Sequence, residues 1–127
     1  MYRVDETNLC IFVVDDDASV TRALKDLLES AGFRAETFGS AEDFLSSDRS
    51  EGPDLLILDV FMPGMTGLAL QKQLASSGSK LPTILITAHE DTRIRQTALE
   101  EGAVAFLQKP FEDQTLLDAI YIAFDNV

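Results

Sequence analysis

The sequence predicts an α/β fold: a doubly wound parallel sheet of about five strands in the order 2-1-3-4-5. Two observations lead to it. Short apolar segments alternate with longer amphipathic ones, and this alternation repeats about five times, as in a βα series. The 127 residues, 46% of them apolar and 25% charged, suit one compact domain with a buried core and do not suggest two full domains.

Five short apolar segments, largely β-branched or aromatic, are the predicted strands. They comprise residues 9–14, 33–38, 55–58, 83–86 and 104–107. In the second, Arg34 and Glu36 alternate with less polar residues such as Ala35, so this strand has a wetter face and belongs at an edge. Right-handed helical crossovers make the strands parallel, and in this order strands one and three are neighbours from which the chain winds in opposite directions. Because open α/β sheets bind ligands in the crevice at such a point, we expect the functional site there.

The segments between the strands are predicted helices. The first has an apolar face at three-four spacing and ends before Gly32, which tolerates a left-handed cap. Its apolar residues are Val20, Ala23, Leu24, Leu27, Leu28 and Ala31. Ser40 with Asp43 resembles a capping box at the start of the second helix, and Thr66 can cap the third. The apolar stripe of the last helix is Leu117, Ile120, Tyr121 and Phe124.

The fourth helix is predicted to begin near Glu90 and to be closed by Gly102. Its apolar positions are few, chiefly Ile94, Ala98 and Leu99. A helix with so few anchoring residues shifts at small cost, so we expect the moving surface of the domain near it. The alternative is simply a polar surface helix.

The composition excludes several classes of function. Ten basic residues against 22 acidic ones give a net charge of −12, which disfavours direct nucleic-acid binding and favours cations and basic partners. No apolar run approaches the roughly 20 residues of a membrane helix. No apolar leader with a cleavage site follows Arg3, so we expect a cytoplasmic protein without membrane contact.

The single cysteine, Cys10, lies in an apolar strand and is predicted to be a buried hydrophobe.

Four aspartates come at the carboxyl ends of two predicted strands that are neighbours. They are Asp15, Asp16 and Asp17 after strand one and Asp59 after strand three. Like charges at close range raise one another's pKa or recruit a cation. Oxygen ligands, few in number and leaving room for water, favour Mg²⁺ over a calcium cage or a zinc site. Asp17 has the alternative role of a helix cap.

Two further strand ends carry complementary groups. Thr87 follows strand four, and Lys109 follows strand five with Pro110 behind it. A hydroxyl, an ammonium group, a metal ion and a carboxylate together match a phosphoryl group held in line with an attacking oxygen. Asp59 is the candidate nucleophile, because carboxylates attack phosphorus to give acyl phosphates. Taken alone, Lys109 would be a surface lysine and Thr87 an ordinary strand residue.

Short motifs at these strand ends occur in a characteristic order and spacing. They are Val13-Val14-Asp15-Asp16, Leu58-Asp59, Met62-Pro63-Gly64 followed by Gly67, Thr87-Ala88 and Lys109-Pro110-Phe111. By these motifs nearly the whole chain resembles a response-regulator receiver domain of the CheY-like kind, with a flavodoxin-like (βα)5 fold. The resemblance implies a two-component switch in which Asp59 accepts a phosphoryl group from a histidine kinase or phosphotransfer protein. It also implies a Mg²⁺ site: Asp16 binds the ion directly beside Asp59, Asp15 orders a metal-bound water, and the backbone carbonyl of Phe61 is a further ligand.

The resemblance further implies how the signal spreads. Thr87 bonds a phosphoryl oxygen and draws its loop inward, while Phe106 turns from an exposed to a buried rotamer behind it. The surface of helix four, strand five and helix five then serves as a partner or homodimer interface. The other interpretation of Phe106 is an ordinary core aromatic in strand five.

Two residues beside the predicted site are informative. Phe61, two residues past Asp59, is bulky and apolar where polar or flexible side chains are more usual in that family, and His89 stands two residues past Thr87. These positions flank the family's path for hydrolytic water, so we predict that they set how long the phosphorylated state lasts. His89 is a weaker candidate as a metal ligand or general base, since a lone loop histidine is usually just solvated.

The whole chain, residues 1–127, is expected to be a single receiver domain without an output domain, since no second apolar pattern follows the last helix. Residues 59–74 and 108–113 look similar to receivers joined to helix-turn-helix transcription factors. Regulation of transcription is therefore the expected context.

Three other functions fit parts of the pattern. A Mg²⁺-dependent phosphatase of the haloacid-dehalogenase kind would use Asp15 as its nucleophile, but the later strands end in Thr87 and Lys109 in place of a further acidic motif. A flavodoxin-like mononucleotide binder needs glycines and free backbone donors after strand one, where the aspartates repel phosphate. A scaffold that is never phosphorylated leaves the acidic pocket unexplained. The identity of the phosphorylated residue decides: Asp15 indicates the phosphatase and Asp59 the receiver.

Overall fold

Strands and helices alternate along the chain as the periodicity predicts. Within residues 9–49, 52–89 and 91–125, which the computed structural model describes, five strands alternate with five helices. The strands are β1 Cys10–Val14, β2 Arg34–Phe38, β3 Leu55–Asp59, β4 Thr83–Thr87 and β5 Ala105–Gln108. The helices are α1 Ala18–Ser30, α2 Ala41–Ser46, α3 Gly67–Ser76, α4 Thr92–Glu100 and α5 Asp113–Asp125. In this described part of the chain, no helix is long and apolar enough to cross a membrane.

The strands form one parallel sheet in the order β2-β1-β3-β4-β5, which confirms the predicted fold class. β1, β3 and β4 are buried along their whole length, whereas β2 exposes Arg34 and Glu36 and buries Ala35. The partly solvent-exposed second strand lies at the edge of the sheet, as its sequence indicates. Val14 of β1 lies opposite Leu58 of β3, so these two strands end side by side.

Alternate side chains of the central strands enter two apolar cores, one on each face of the sheet. In β1, Phe12 and Val14 belong to one core, and Ile11 and Val13 belong to the other. The first core also holds Phe44, Leu70 and Phe106, and the second holds Leu28, Phe33 and Ile120. Cys10 is buried in the first core, as predicted. Close packing on both faces makes the strands a rigid support for the polar groups at their ends.

The helix ends lie close to the predicted positions. Ser40 at α2 and Thr66 at α3 are N-caps whose side chains each accept a backbone amide three residues further on. Gly32 and Gly102, which follow α1 and α4, have φ angles of 99° and 101°. This left-handed conformation favours glycine, so both residues close their helices as expected.

α4 begins at Thr92 with Asp91 as its N-cap. The predicted start near Glu90 lies outside the described residues. Within Thr92–Glu100, Ala98 alone is buried, and Leu99 is exposed. The expectation of a weakly anchored fourth helix is therefore met in its packing.

Candidate functional site

The polar groups predicted at the strand ends meet along one edge of the sheet. Asp59 and Thr87 are the last residues of β3 and β4, because each strand extends one residue beyond its predicted end. Asp15 and Asp16 directly follow β1, and Lys109 directly follows β5. Since the strands are parallel, their carboxyl ends share one rim, at the crevice where the winding direction changes.

Three carboxylates come together in this rim. Asp15, Asp16 and Asp59 each present an oxygen, and these oxygens lie within 4.8 Å of one another. Asp15 and Asp59 are 1% and 4% exposed, whereas Asp16 is open to solvent. Asp17 is instead the N-cap of α1, and its hydrogen bonds with Ser19 lower its pKa. The group of Asp15, Asp16 and Asp59 offers only oxygen ligands, which suit a hard divalent cation such as Mg²⁺.

The surroundings of Asp59 act against its charge. Burial raises its pKa, the charge of Asp15 raises it further, and Lys109 counteracts them, leaving the pKa of Asp59 at about 6. A cation held by the same carboxylates would favour the ionised form of Asp59, which is the nucleophilic form.

Lys109 joins the two buried carboxylates. Its Nζ donates to Asp15 Oδ2 at 2.9 Å and lies 3.6 Å from Asp59 Oδ1. Burial by itself would lower the pKa of Lys109, but the hydrogen bond and charge of Asp15, followed by those of Asp59, raise it overall. The ammonium therefore stays charged, and it binds Asp15 more closely than Asp59.

Thr87 is fully buried at the end of β4. Its Oγ1 accepts the backbone amide of His89 at 3.1 Å, and its carbonyl accepts the amide of Lys109 at 2.7 Å. The second bond fixes the ends of β4 and β5 relative to each other. The first holds the Thr87 hydroxyl against its own loop.

Two rings at the mouth of the site form a contact that the sequence did not reveal. Phe61 is 43% exposed, and its ring meets the ring of His89 edge to face, with the centroids 5.0 Å apart. The two residues predicted to set the rate of hydrolysis thus pack against each other. Among the described residues, His89 does not belong to the group of candidate metal ligands.

Sequence reasoning missed two contacts made by α4. Arg95 lies over the ring of Phe106, which is 6% exposed, with Cζ 5.2 Å from the ring centroid. Gln71 of α3 is buried and donates to the carbonyl of Ala98. Nothing in the sequence indicates the contact of Arg95, because charged residues are ordinary on a polar helix. The contact of Gln71 could have been suspected, because this polar residue stands next to Leu70 in the apolar stripe of α3.

Residues 11–121 match the family model of the response regulator receiver domain. The chain is 44% identical over 120 residues to Nodulation protein W of Bradyrhizobium diazoefficiens, covering 94% of this chain and 53% of that protein. It is 45% identical over 113 residues to the transcriptional regulatory protein TdiR of Thauera aromatica, covering 89% of this chain and 50% of that protein. The crystal structure of FixJ-N superposes with a TM-score of 0.85 at 34% identity, over 94% of this chain and 95% of that chain.

These comparisons confirm the resemblance found in the sequence. The chain spans about half the length of the two relatives. The comparisons give no support to the phosphatase alternative. Its expected nucleophile, Asp15, is also engaged at both oxygens, since Oδ1 accepts the amide of Asp17 and Oδ2 accepts a hydrogen bond from Lys109.

Proposed function

Because the chain belongs to the response regulator receiver domain family, we propose that it is a phosphoryl-accepting signalling switch with Asp59 as the acceptor. One observation carries the proposal: the buried carboxylate of Asp59 lies within reach of two other carboxylates and of the Lys109 ammonium. Phosphoryl transfer needs such a combination of nucleophile, cation site and fixed positive charge. The similarity to TdiR, a transcriptional regulatory protein, favours a role for this chain in the regulation of transcription.

Mg²⁺ is the proposed cofactor. Asp16 and Asp59 would bind it directly, together with the backbone carbonyl of Phe61, and Asp15 would bind it through a water molecule. When bound, the ion supplies positive charge that neutralises the phosphoryl oxygens. The oxygen-only donor set and the close approach of the three carboxylates support this assignment.

The transfer is a substitution at phosphorus. A carboxylate oxygen of Asp59 attacks the phosphorus of a phosphohistidine, the new P–O bond forms, and the P–N bond breaks. The imidazole leaves with the electron pair of that bond and takes up a proton from solvent. Lys109, 3.6 Å from Asp59 Oδ1, pairs with the transferred group, and the Thr87 hydroxyl donates to another of its oxygens.

The proposed donor is a histidine kinase or phosphotransfer protein. An open, largely apolar groove of about 420 Å³ lies beside Lys109, between α1 and the start of α5. Its apolar lining comprises Val20, Ala23, Leu24, Ala88, Pro110 and Phe111. An amphipathic helix seated in this groove would bring a phosphohistidine to the rim that holds Asp59.

The phosphoryl group would act by favouring one of two conformations. The Thr87 hydroxyl, whose oxygen accepts the His89 amide, would donate its hydrogen to a phosphoryl oxygen and so draw the β4–α4 loop inward. Phe106 is already buried, at 6% exposed, so the proposed shift does not include a change of its rotamer. The face of α4, β5 and α5 is the surface expected to change.

The test is incubation of the chain with Mg²⁺ and acetyl phosphate, followed by intact-mass measurement. We expect one added phosphoryl group on the wild type, and none on Asp59→Asn or after removal of Mg²⁺ with EDTA. Asp54→Asn is the matched control, because Asp54 lies just before β3, where its Oδ2 accepts the Cys10 amide. A phosphoryl group that survives in Asp59→Asn would place the acceptor elsewhere and overturn the proposal.

A further inference from the structure

Gln71 of α3 is a buried amide, 5% exposed. Its Nε2 donates to the carbonyl oxygen of Ala98 in α4 at 3.0 Å. Its Oε1 is also buried, and has no hydrogen-bond partner among the described residues. An amide with one bond made and one acceptor unpaired contributes little to stability, because methionine or leucine would fill the same space without burying polar atoms.

The end of α4 does not need this hydrogen bond either. The carbonyl of Ala98 already accepts the backbone amide of Ala103 at 3.0 Å, in the turn that closes the helix. The bond from Gln71 is therefore an additional one. Because hydrogen bonds are directional and short-ranged, it fixes where α4 lies against α3, which an apolar contact would leave less well defined.

Few other contacts define the position of α4. Ala98 is the one buried residue of Thr92–Glu100. A cavity of about 330 Å³ borders the helix end, and its lining includes Gln71 and Leu74 of α3 together with Glu101 and Gly102. The C-cap of α4 therefore borders open space, so few side chains hold this end of the helix in place.

We propose that the Gln71 hydrogen bond holds α4 in its present position and so opposes the conformational shift caused by phosphorylation. This inference rests on the proposed function. Moving α4 away breaks the bond and leaves both polar ends of a buried amide unpaired, which makes the shifted conformation less favourable. Gln71 is thus a positioning residue that acts on the switch through α4.

The test compares the full chain with Gln71→Met and Gln71→Leu, with Gln73→Met as the matched control. Gln73 lies on the same helix but is exposed. The measurement is the affinity for beryllium trifluoride, a tetrahedral mimic of the phosphoryl group, in the presence of Mg²⁺. Without the hydrogen bond the shift costs less, so the affinity should rise about three- to tenfold in both Gln71 variants and stay unchanged in Gln73→Met. A merely structural role would change thermal stability and leave this affinity as it is.

Amide hydrogen exchange of α4 in the ligand-free chain gives an independent measurement. We expect faster exchange in both Gln71 variants than in the wild type and Gln73→Met, with β1 and β3 unchanged. An affinity that stays the same or falls in both Gln71 variants overturns the proposal. If the wild type itself binds no phosphoryl mimic, the proposed function fails, and the exchange of α4 then decides by itself whether Gln71 fixes this helix.

Discussion

Burial at the end of β3 changes how readily a single side chain, Asp59, ionises. Its pKa is about 6 in the folded protein, against 3.8 for the ordinary carboxyl group. The folded state therefore binds this proton more tightly than the unfolded state does. Ionisation of Asp59 costs folding free energy at neutral pH, and this cost disappears as the pH falls through the folded pKa.

The metal-free chain should accordingly gain about 1 kcal/mol of unfolding free energy, relative to Asp59→Asn, between about pH 7 and about pH 5. Urea unfolding of both chains in EDTA, at a series of pH values, measures this difference. Added Mg²⁺ should reduce the gain, because a bound cation favours the ionised carboxylate. Equal pH dependence in the wild type and Asp59→Asn would contradict the raised pKa.

The edge-to-face contact of Phe61 and His89 leads to a prediction about the lifetime of the acyl phosphate. The ring centroids of the two side chains lie 5.0 Å apart, and we predict that they act together as one screen against water. Phe61→Asn and His89→Ala should each speed dephosphorylation of the isolated chain about three- to tenfold, or roughly 1 kcal/mol of barrier. Loss of phosphoryl mass over time measures the rate.

The double variant provides the control for a shared screen. If the two rings act as one unit, the combined substitution should speed hydrolysis by less than the product of the single effects. Unchanged rates in both single variants would end the hypothesis.

At the scale of secondary-structure elements, the start of α3 determines where β3 ends. The amide of Gly67 donates to the carbonyl of Val60 at 2.8 Å, and a Cβ on Gly67 would collide with the backbone carbonyl of Asp59. Close approach of two backbones, and not an unusual φ angle, is therefore the reason for glycine here. The position of the Asp59 carboxylate depends on this contact, since any shift of the helix moves the end of β3.

Gly67→Ala should lower the unfolding free energy by about 2–4 kcal/mol, because the backbone must move to admit one methyl group. Gly39→Ala is the matched control, since a Cβ there meets nothing within 4 Å, and it should change stability by less than about 0.5 kcal/mol. Urea unfolding measures both. Phosphorylation by acetyl phosphate should also slow in Gly67→Ala, and similar stability of the two variants would disprove the tight approach.

At the scale of the whole molecule, exposed apolar surface favours self-association and the net negative charge opposes it. Leu99, Val104 and Ile122, on or next to α4, β5 and α5, are 43%, 46% and 52% exposed. Two copies with a net charge of −12 each repel one another, and salt screens this repulsion. An activated homodimer formed by this face should therefore strengthen as the salt concentration rises.

Sedimentation velocity with Mg²⁺ and beryllium trifluoride tests this expectation. We predict a dimer that becomes tighter by about tenfold or more from low salt to about 0.5 M salt, and Val104→Asp should abolish it without preventing binding of the mimic. Ser46→Asp places the same charge on α2 and should leave the dimer intact. A chain that stays monomeric at every salt concentration while binding the mimic would exclude this interface.

Much of the fold follows from local patterns in the sequence. Burial of β1, β3 and β4 on both faces produces continuous apolar runs, and the half-exposed β2 produces alternation, so strand type and order were both predictable. The acidic rim was predictable as well, because the carboxyl ends of parallel strands must share one edge of the sheet. Strand ends were less certain, and Asp59 and Thr87 belong to their strands instead of following them.

The sequence by itself therefore determined the class of fold and the set of polar groups delivered to its rim, since both depend on periodicity and on strand ends. Only the tertiary structure decided which of these groups contact each other. Lys109 bonds most closely to Asp15, which lies 94 positions away, and Gln71 meets Ala98 across two helices. Such contacts depend on distances between side chains far apart in the chain, and local periodicity carries no information about those distances.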